Sequence, residues 1–321
     1  MKTKRLISIF VCAVCLAISL VIPKTASAAI FTDVDDLQQS QVFGQSSVFD
    51  PVGLLVGTDA NGDSFVAGSG VFIGNGPSGQ NAWILTAGHV GFDEPNLPWV
   101  SLRFNDNPDF FGNLGELTDA DLFVPFRGFT GSESGGWTGN DIGLVRLSNP
   151  IQDVAPAQLF TGSDTDLIGA EFITAGYGNP GVFGETLGAF DGIRRGGRNI
   201  IESAGASFHQ GTVEDQFFVS DFDFLDVFDP LPLEWQGSQN DSGSPWFVDV
   251  NGEYQIAGIV NGSLSSNTDT FAIRTTLYND FIFDTIASNP PPGTAVPEPG
   301  SMSLLTLGLI AMMRRKRTAS A

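Results

Sequence analysis

The sequence predicts an all-β fold: two barrels or sandwiches of short strands, closed by one C-terminal helix. Three observations predict it. The 39 Gly and 18 Pro among 321 residues favour tight turns over long helices. Short β-branched and aromatic runs are separated by turn-forming pairs such as Asn61-Gly62 and Asn251-Gly252. Only one segment, late in the chain, has apolar residues at helical spacing.

In chain order, Lys2, Lys4 and Arg5 precede an apolar run from Leu6 to Ile22, followed by Pro23 and Ala26-Ser27-Ala28-Ala29. A basic start, an apolar stretch and an A-x-A site make a secretory signal peptide over 1–28. A membrane anchor is the alternative, and the run is short for one. The runs Gly53 to Gly57 and Ser64 to Ala67 flank Asp59-Ala60-Asn61-Gly62-Asp63, a hairpin turn whose spacing does not match a calcium loop. Val71 to Gly74 and Trp83 to Thr86 form the next strand pair. The stretch Asp221 to Asp226 alternates charge and aromatic and reads as a half-buried strand. Trp246 to Val248 and Tyr254 to Val260 flank Asn251-Gly252. Leu277, Phe281, Ile282 and Ile286 share one face of the predicted helix. No internal repeat of 20 to 50 residues is visible.

Composition narrows the function. The formal net charge is -21, with 15 Lys+Arg against 36 Asp+Glu, so nucleic acid and anionic lipid surfaces are excluded as partners. Hydrophobic residues are 42% and charged residues 16%, which excludes global disorder. All four Lys, all four Met and both Cys (Cys12 and Cys15) lie at the two ends. Between the ends there is therefore no thiol, no disulfide and no cysteine metal site, and the fold must be held by its core. Arg103, Arg127, Arg146, Arg194, Arg195, Arg198 and Arg274 are the body's only fixed cations.

Three short segments carry chemistry. One is Trp83-Ile84-Leu85-Thr86-Ala87-Gly88-His89-Val90, a β-run ending in a histidine beside small residues. The second is Asn140-Asp141-Ile142-Gly143, an aspartate that opens an apolar strand. The third is Gln239-Asn240-Asp241-Ser242-Gly243-Ser244-Pro245, a serine in a turn-prone loop. Acyl transfer by serine needs a hydroxyl, a base able to take and return its proton, and an anion that orients the base. Histidine suits the middle role because its pKa lies near neutrality. The chain has only one other histidine, His209, which stands in no such motif and reads as a solvated or core residue.

These segments, in the order His, Asp, Ser, resemble the chymotrypsin-trypsin superfamily of serine endopeptidases, in its bacterial disulfide-free branch. The resemblance runs from about Val42 to Ala287. Ala175-Gly176-Tyr177-Gly178 resembles a strand near the start of that family's second barrel, and Ile256 to Asn261 its substrate-pairing strand. It implies two packed six-stranded antiparallel barrels with the site in the crevice between them. His89 would be the general base, Asp141 its orienting anion and Ser242 the nucleophile. The N–H groups of Asn240 and Ser242 would form the oxyanion hole, with Gln236 and Asn261 contacting substrate and no cofactor required. The family usually has Gly where Asn240 stands. Asn tolerates positive φ better than most residues, so the hole can survive the exchange. Gln236 falls near the position that is acidic in trypsins, so no Lys or Arg preference follows.

At the far end, Asn289 to Thr294 is a stiff Pro-rich linker. Val296-Pro297-Glu298-Pro299-Gly300, an apolar stretch from Leu304 to Met313 and Arg314-Arg315-Lys316-Arg317 follow. Together they resemble the PEP-CTERM sorting signal, which is read and removed by an exosortase. A simple tail anchor is the alternative, though the apolar stretch barely spans a bilayer.

The expected organisation is a signal peptide over 1–28, a candidate propeptide over 29–41 and a protease domain over 42–288. The domain divides into barrel one at about 42–155, barrel two at about 156–275 and a helix over 276–287. A linker over 289–296 and a sorting signal over 297–317 complete the chain. The expected function is a secreted endopeptidase of a Gram-negative-type cell surface or matrix, with peptide substrates, an exosortase-type partner and transient membrane insertion of the C-terminal plug. The competing readings are a protease fold kept only for binding and an esterase, which lacks the Gly-x-Ser-x-Gly elbow. Asp241 also resembles the family aspartate that pairs with a freed N-terminal ammonium, with Val42-Phe43-Gly44 as the candidate mature start. The alternative is that Asp241 bonds neighbouring backbone and that Ala29 is the start.

Overall fold

The structure, a computed structural model, describes residues 29–58, 64–92, 101–103, 118–127, 129, 140–205, 216–223, 230–263 and 268–291. The expected signal peptide, the 59–63 turn, His209 and the sorting segment lie outside the described residues.

The described chain opens with β1 (Ala29–Phe31) and α1 (Val34–Gly44). Asp33 caps α1, its carboxylate accepting the Asp36 N–H at 2.8 Å, and Asp35 and Asp36 add negative charge to the first turn. The helix ends at Gly44, where a Cβ would lie 2.6 Å from the Arg194 carbonyl oxygen and 2.8 Å from the Gly196 nitrogen. Buried Arg194 locks this contact: Nε donates to the Gly44 carbonyl at 2.7 Å, and Nη1 donates to those of Phe49 and Val52. Residues 29–41, expected as a candidate propeptide, contribute β1 and most of α1, with Phe31 and Ser40 fully buried. Val42 lies inside α1 and is 73% exposed.

Barrel one contains β2 (Val52–Thr58), β3 (Ser64–Asn75), β4 (Ala82–Thr86), β5 (Ser101–Arg103), β6 (Thr118–Pro125) and β7 (Gly143–Leu147). It closes in the order β2-β3-β4-β7-β6-β5, all pairs antiparallel. Pairing of Thr58 with Ser64 confirms the first predicted hairpin. Every residue of β4 and β7 is buried, as their near-continuous apolar sequences require. A short helix, α2 (Gly88–Phe92), follows β4.

Barrel two contains β8 (Gln158–Leu159), β9 (Glu171–Gly176), β10 (Pro180–Val182), β11 (Arg195–Ile200), β12 (Ser203–Ala204), β13 (Phe217–Ser220), β14 (Pro245–Val250), β15 (Glu253–Ser263) and β16 (Thr270–Arg274). Its main sheet runs β11-β9-β14-β15-β16-β13-β12, and β8 adds to β15. The two edge strands, β11 and β12, are nearly continuous in sequence, so the sheet must curl until its edges approach. Counted as one bent strand, they make the ring six-stranded, as expected. The β14–β15 turn is the predicted Asn251-Gly252, with φ of 58° and 91°, the two positive values a two-residue hairpin turn needs. β1 pairs in parallel with β10, and Ile30 and Gln236 exchange backbone hydrogen bonds.

Two expectations are corrected. The described part of the acidic-aromatic stretch, Asp221–Asp223, is not strand: β13 ends at Ser220, and the Asp223 N–H turns to the Glu234 carboxylate instead of continuing a ladder, while 224–226 lie outside the described residues. The last helix, α3, is Asn279–Ser288 after a tight helical turn over Thr275–Tyr278, and Leu277 on that turn faces solvent. Ile282 is buried as predicted, in a core cluster that continues from Leu85 and Leu144 of barrel one to Ile259 and Ile273 of barrel two.

Arg194→Met should unpair three buried carbonyls. A cost of about 2–4 kcal/mol is expected, after partial relief by water, lowering the melting temperature by about 5–12 °C. Thermal unfolding by circular dichroism checks this; a shift under about 2 °C would mean that Arg194 does not hold α1.

Candidate active site

Barrel one supplies the histidine and aspartate. β4 and β7 are paired, with Thr86 opposite Gly143, so the residues just past one strand and just before the other lie at the same barrel end. His89 sits there on α2, and Asp141 lies two residues before β7. Asp141 is 1% exposed and both carboxylate oxygens hold His89: Oδ1 accepts the His89 backbone N–H at 2.7 Å, and Oδ2 lies 2.7 Å from Nδ1. Because a carboxylate only accepts, this contact places the imidazole proton on Nδ1. The Asp141 carbonyl accepts from Asn261 Nδ2 at 2.7 Å, and the Ile273 N–H donates to Asn261 Oδ1. Asn261, expected to contact substrate, has its side chain committed to bracing Asp141. Preceding Asn140 has a φ of 68°; its Oδ1 accepts from Tyr278 Oη and Gln216 Nε2.

Barrel two supplies the serine. The Ser242 carbonyl accepts the Ser69 N–H of β3 at 2.8 Å, and the Gly243 N–H donates to Val260 of β15. A Cβ on Gly68 would lie 2.7 Å from the Ser242 carbonyl oxygen and 3.0 Å from Val90, so the nucleophile loop and the residue after His89 converge on one spot. Ser242 is half-buried and its Oγ donates to the Asn261 carbonyl at 3.3 Å.

The loop around Asn240 has the backbone that the expected oxyanion hole would need. Asn240 adopts φ 75°, the left-handed region that Gly would enter freely and Asn tolerates. Across a trans peptide, C=O and N–H point opposite ways. The Gln239 carbonyl is held by the Asn179 N–H at 3.1 Å and the Asp241 carbonyl by the Ser244 N–H at 2.9 Å, which fixes the directions of the Asn240 and Ser242 N–H groups. Neither N–H has an acceptor among the described residues.

Asp241 is fully buried. Its Oδ1 accepts the Gly178 N–H at 2.8 Å, and its Oδ2 accepts the Ser238 N–H at 3.0 Å and hydroxyl at 2.7 Å. These bonds match the neighbouring-backbone alternative, and Val42 is far along α1 on an exposed face. Gln236 is buried, its backbone tied to Ile30. Sequence reasoning missed Ser69, Asn179 and Ser238. Of these, only Ser69 carried a local signal, a polar residue between two glycines inside an apolar strand.

A family model described as Trypsin matches residues 70–282, and one described as PEP-CTERM protein-sorting motif matches residues 295–317. A search of curated proteins finds no match.

Burial pushes the Asp241 carboxyl up to about 6 despite its donors, and burial likewise pushes Glu234 up to about 7, against the N–H groups of Asp223 and Leu231. Both groups hold a proton more tightly folded than unfolded, where 3.8 and 4.5 apply. Their stabilisation is complete below those unfolded values and is lost as pH rises through about 6 and about 7. Asp164 works the other way: burial raises it, but hydrogen bonds from Arg274 and Thr276 outweigh burial and lower it, so its contribution is lost only in stronger acid. The melting temperature at fixed ionic strength should therefore be higher at about pH 5 than at about pH 8, and Glu234→Gln should flatten the difference. A melting temperature that climbs towards pH 8 would contradict the burial of these carboxyls.

Proposed function

Because the chain belongs to the trypsin family, we propose that it is an exported serine endopeptidase that hydrolyses peptide bonds through Ser242, His89 and Asp141. The observation that carries this reading is the two-point hold of Asp141 on His89, beside a serine loop pinned to the same barrel. With the Nδ1 proton donated to Asp141, Nε2 is the nitrogen that takes the Ser242 hydroxyl proton as Oγ attacks the carbonyl carbon. The imidazolium so formed is stabilised by Asp141 and returns the proton to the leaving amine. The oxyanion accepts from the Asn240 and Ser242 N–H groups, and water, activated by His89, releases the acyl group. No cofactor enters these steps. Gln236 would line the specificity pocket without a charge. The positive φ of Asn240 supports catalysis over the binding-only alternative, since the exchange for Gly keeps the loop's shape.

The PEP-CTERM motif marks the chain for export and for recognition by exosortase sorting machinery. In the proposed course a signal peptide over 1–28 carries the chain across the inner membrane of a Gram-negative-type cell. The C-terminal plug then inserts transiently until the exosortase removes it. Residues 29–41 stay with the enzyme: the β1–β10 pairing, the Ile30–Gln236 hydrogen bonds and the buried Phe31 support a mature chain that begins at Ala29.

Labelling by a fluorophosphonate probe tests the activity. The wild type should label and Ser242→Ala should not; Ser242→Ala and His89→Ala should each lose casein hydrolysis by a factor on the order of 10³ or more. Asp141→Asn should be comparably severe because it permits the wrong imidazole tautomer. Wild-type turnover in Ser242→Ala would refute the assignment.

N-terminal sequencing of the active secreted protein tests the processing. A start at Ala29 is expected, and activity confined to chains beginning at Val42 would overturn it.

A further inference from the structure

Asn240 raises a question that the family pattern does not answer. A residue with a side chain stands where a glycine would be free of one, and its N–H must still point at a developing oxyanion. Both of its flanking peptides and its side chain are held. On one side, the Asn179 N–H holds the Gln239 carbonyl at 3.1 Å, while Asn179 Oδ1 accepts from Asn240 Nδ2 at 3.0 Å. On the other, Ser69 Oγ donates to the Asn240 carbonyl at 3.2 Å and accepts the Tyr177 N–H at 3.1 Å. Asn179 thus grips Asn240 twice, once through backbone and once through side chain. It lies three residues past the end of β9, and the intervening Tyr177 and Gly178 are themselves bonded to Ser69 and Asp241. The left-handed conformation at Asn240 costs an ordinary residue free energy, and a side-chain amide pair offsets that cost where glycine would have none to offset.

We infer that Asn179 is a positioning residue for the oxyanion hole: its side chain fixes Asn240 in the left-handed conformation that aims the Asn240 N–H at the transition state. This rests on the serine-peptidase reading. Asn179 touches no reacting atom, and removing its amide loosens a donor without deleting it. The effect falls on the rate of the covalent step and leaves ground-state binding alone, because the hole is occupied only as charge develops.

The experiment is a double-mutant cycle on the exported chain, read by the kinetics of fluorophosphonate labelling. In that reaction the Ser242 Oγ–P bond forms, the P–F bond breaks, fluoride leaves and the serine proton passes to His89. The phosphoryl oxygen occupies the oxyanion hole. Asn179→Ala should lower the maximal labelling rate about tenfold, with the half-saturating probe concentration changed by less than about twofold. Asn240→Gly removes the contact together with the strain it offsets, and so supplies the second background of the cycle. In that background Asn179→Ala should change the rate by less than about twofold, since its effect runs through the Asn240 side chain. If Asn179→Ala does not fold, as judged by its melting curve, Asn240→Ala, which keeps a Cβ at the left-handed position and loses the amide, decides: a rate equal to wild type overturns the proposal. So does a wild-type rate in Asn179→Ala, or a tenfold loss that persists when Asn179→Ala is placed on Asn240→Gly. A wild type that takes no probe at all removes the serine-peptidase reading itself, and this proposal with it; labelling with an indifferent Asn179 removes this proposal alone.

Discussion

Ser69 holds the two barrels in register, and the site depends on it. It is fully buried on β3, yet every polar group it has is used. Its N–H donates to the Ser242 carbonyl, its hydroxyl bridges the Tyr177 N–H and the Asn240 carbonyl, and its own carbonyl accepts the Thr86 hydroxyl. One residue of barrel one therefore fixes Ser242, Asn240 and the start of the segment after β9. The close approach explains a glycine in the nucleophile motif. A Cβ on Gly243 would collide with the Ser69 carbonyl oxygen and the Thr86 hydroxyl, so only Gly fits beside the serine. Since His89 follows β4 and Asp141 precedes β7, barrel closure sets these two residues side by side, and the Ser69 seam then brings the Ser242 loop to the same barrel.

The acidic, thiol-free body has no disulfides to join distant loops, and its arginines do that work from within. Arg146 pairs with Asp121 and donates to the carbonyls of Asn289 and Pro290, fastening the point where the chain leaves α3. Arg194 fastens α1 to the start of β2. Arg195 pairs with Asp191, and Arg274 with Asp164 while lying over the Phe218 ring. Each ties residues whose backbone would otherwise end a strand or loop unsupported. Buried guanidinium groups suit this because their several donors reach more than one acceptor at once. An acidic surface around a cation-stapled interior follows from the same scarcity of positive charge.

Much of this was legible in the sequence. The strand-turn rhythm, the Asn251-Gly252 hairpin, the buried face of the last helix and the order of the His, Asp and Ser segments are local patterns, and the structure follows them. What was not legible depends on contacts between distant residues. The polar stretch before Val42 looks dispensable in isolation. Its first residues bury Phe31 and pair with Pro180 to Val182, some 150 positions away in the chain. Asn261 reads as a strand residue facing substrate, and only the packing of β15 against the Asp141 loop shows its amide already committed. Asn179 has no motif at all, and Ser69 only its place between two glycines, because what selects them is the position of carbonyl groups in another part of the fold. The Asp221 to Asp223 stretch alternates like a strand, but Glu234 draws its backbone aside.

The most direct measurement of the central claim is a crystal structure of the protein with a peptidyl boronic acid. Its tetrahedral adduct reports nucleophile, base and oxyanion donors together. A covalent bond from Ser242 Oγ to boron is expected, with one boronate oxygen accepting from the Asn240 and Ser242 N–H groups. A second should lie within hydrogen-bond reach of His89 Nε2, and Ser69 should still bond the Ser242 carbonyl. An adduct on another residue, or a boronate oxygen turned away from both N–H groups while the Ser69 seam is intact, would contradict the claim that the seam assembles the site.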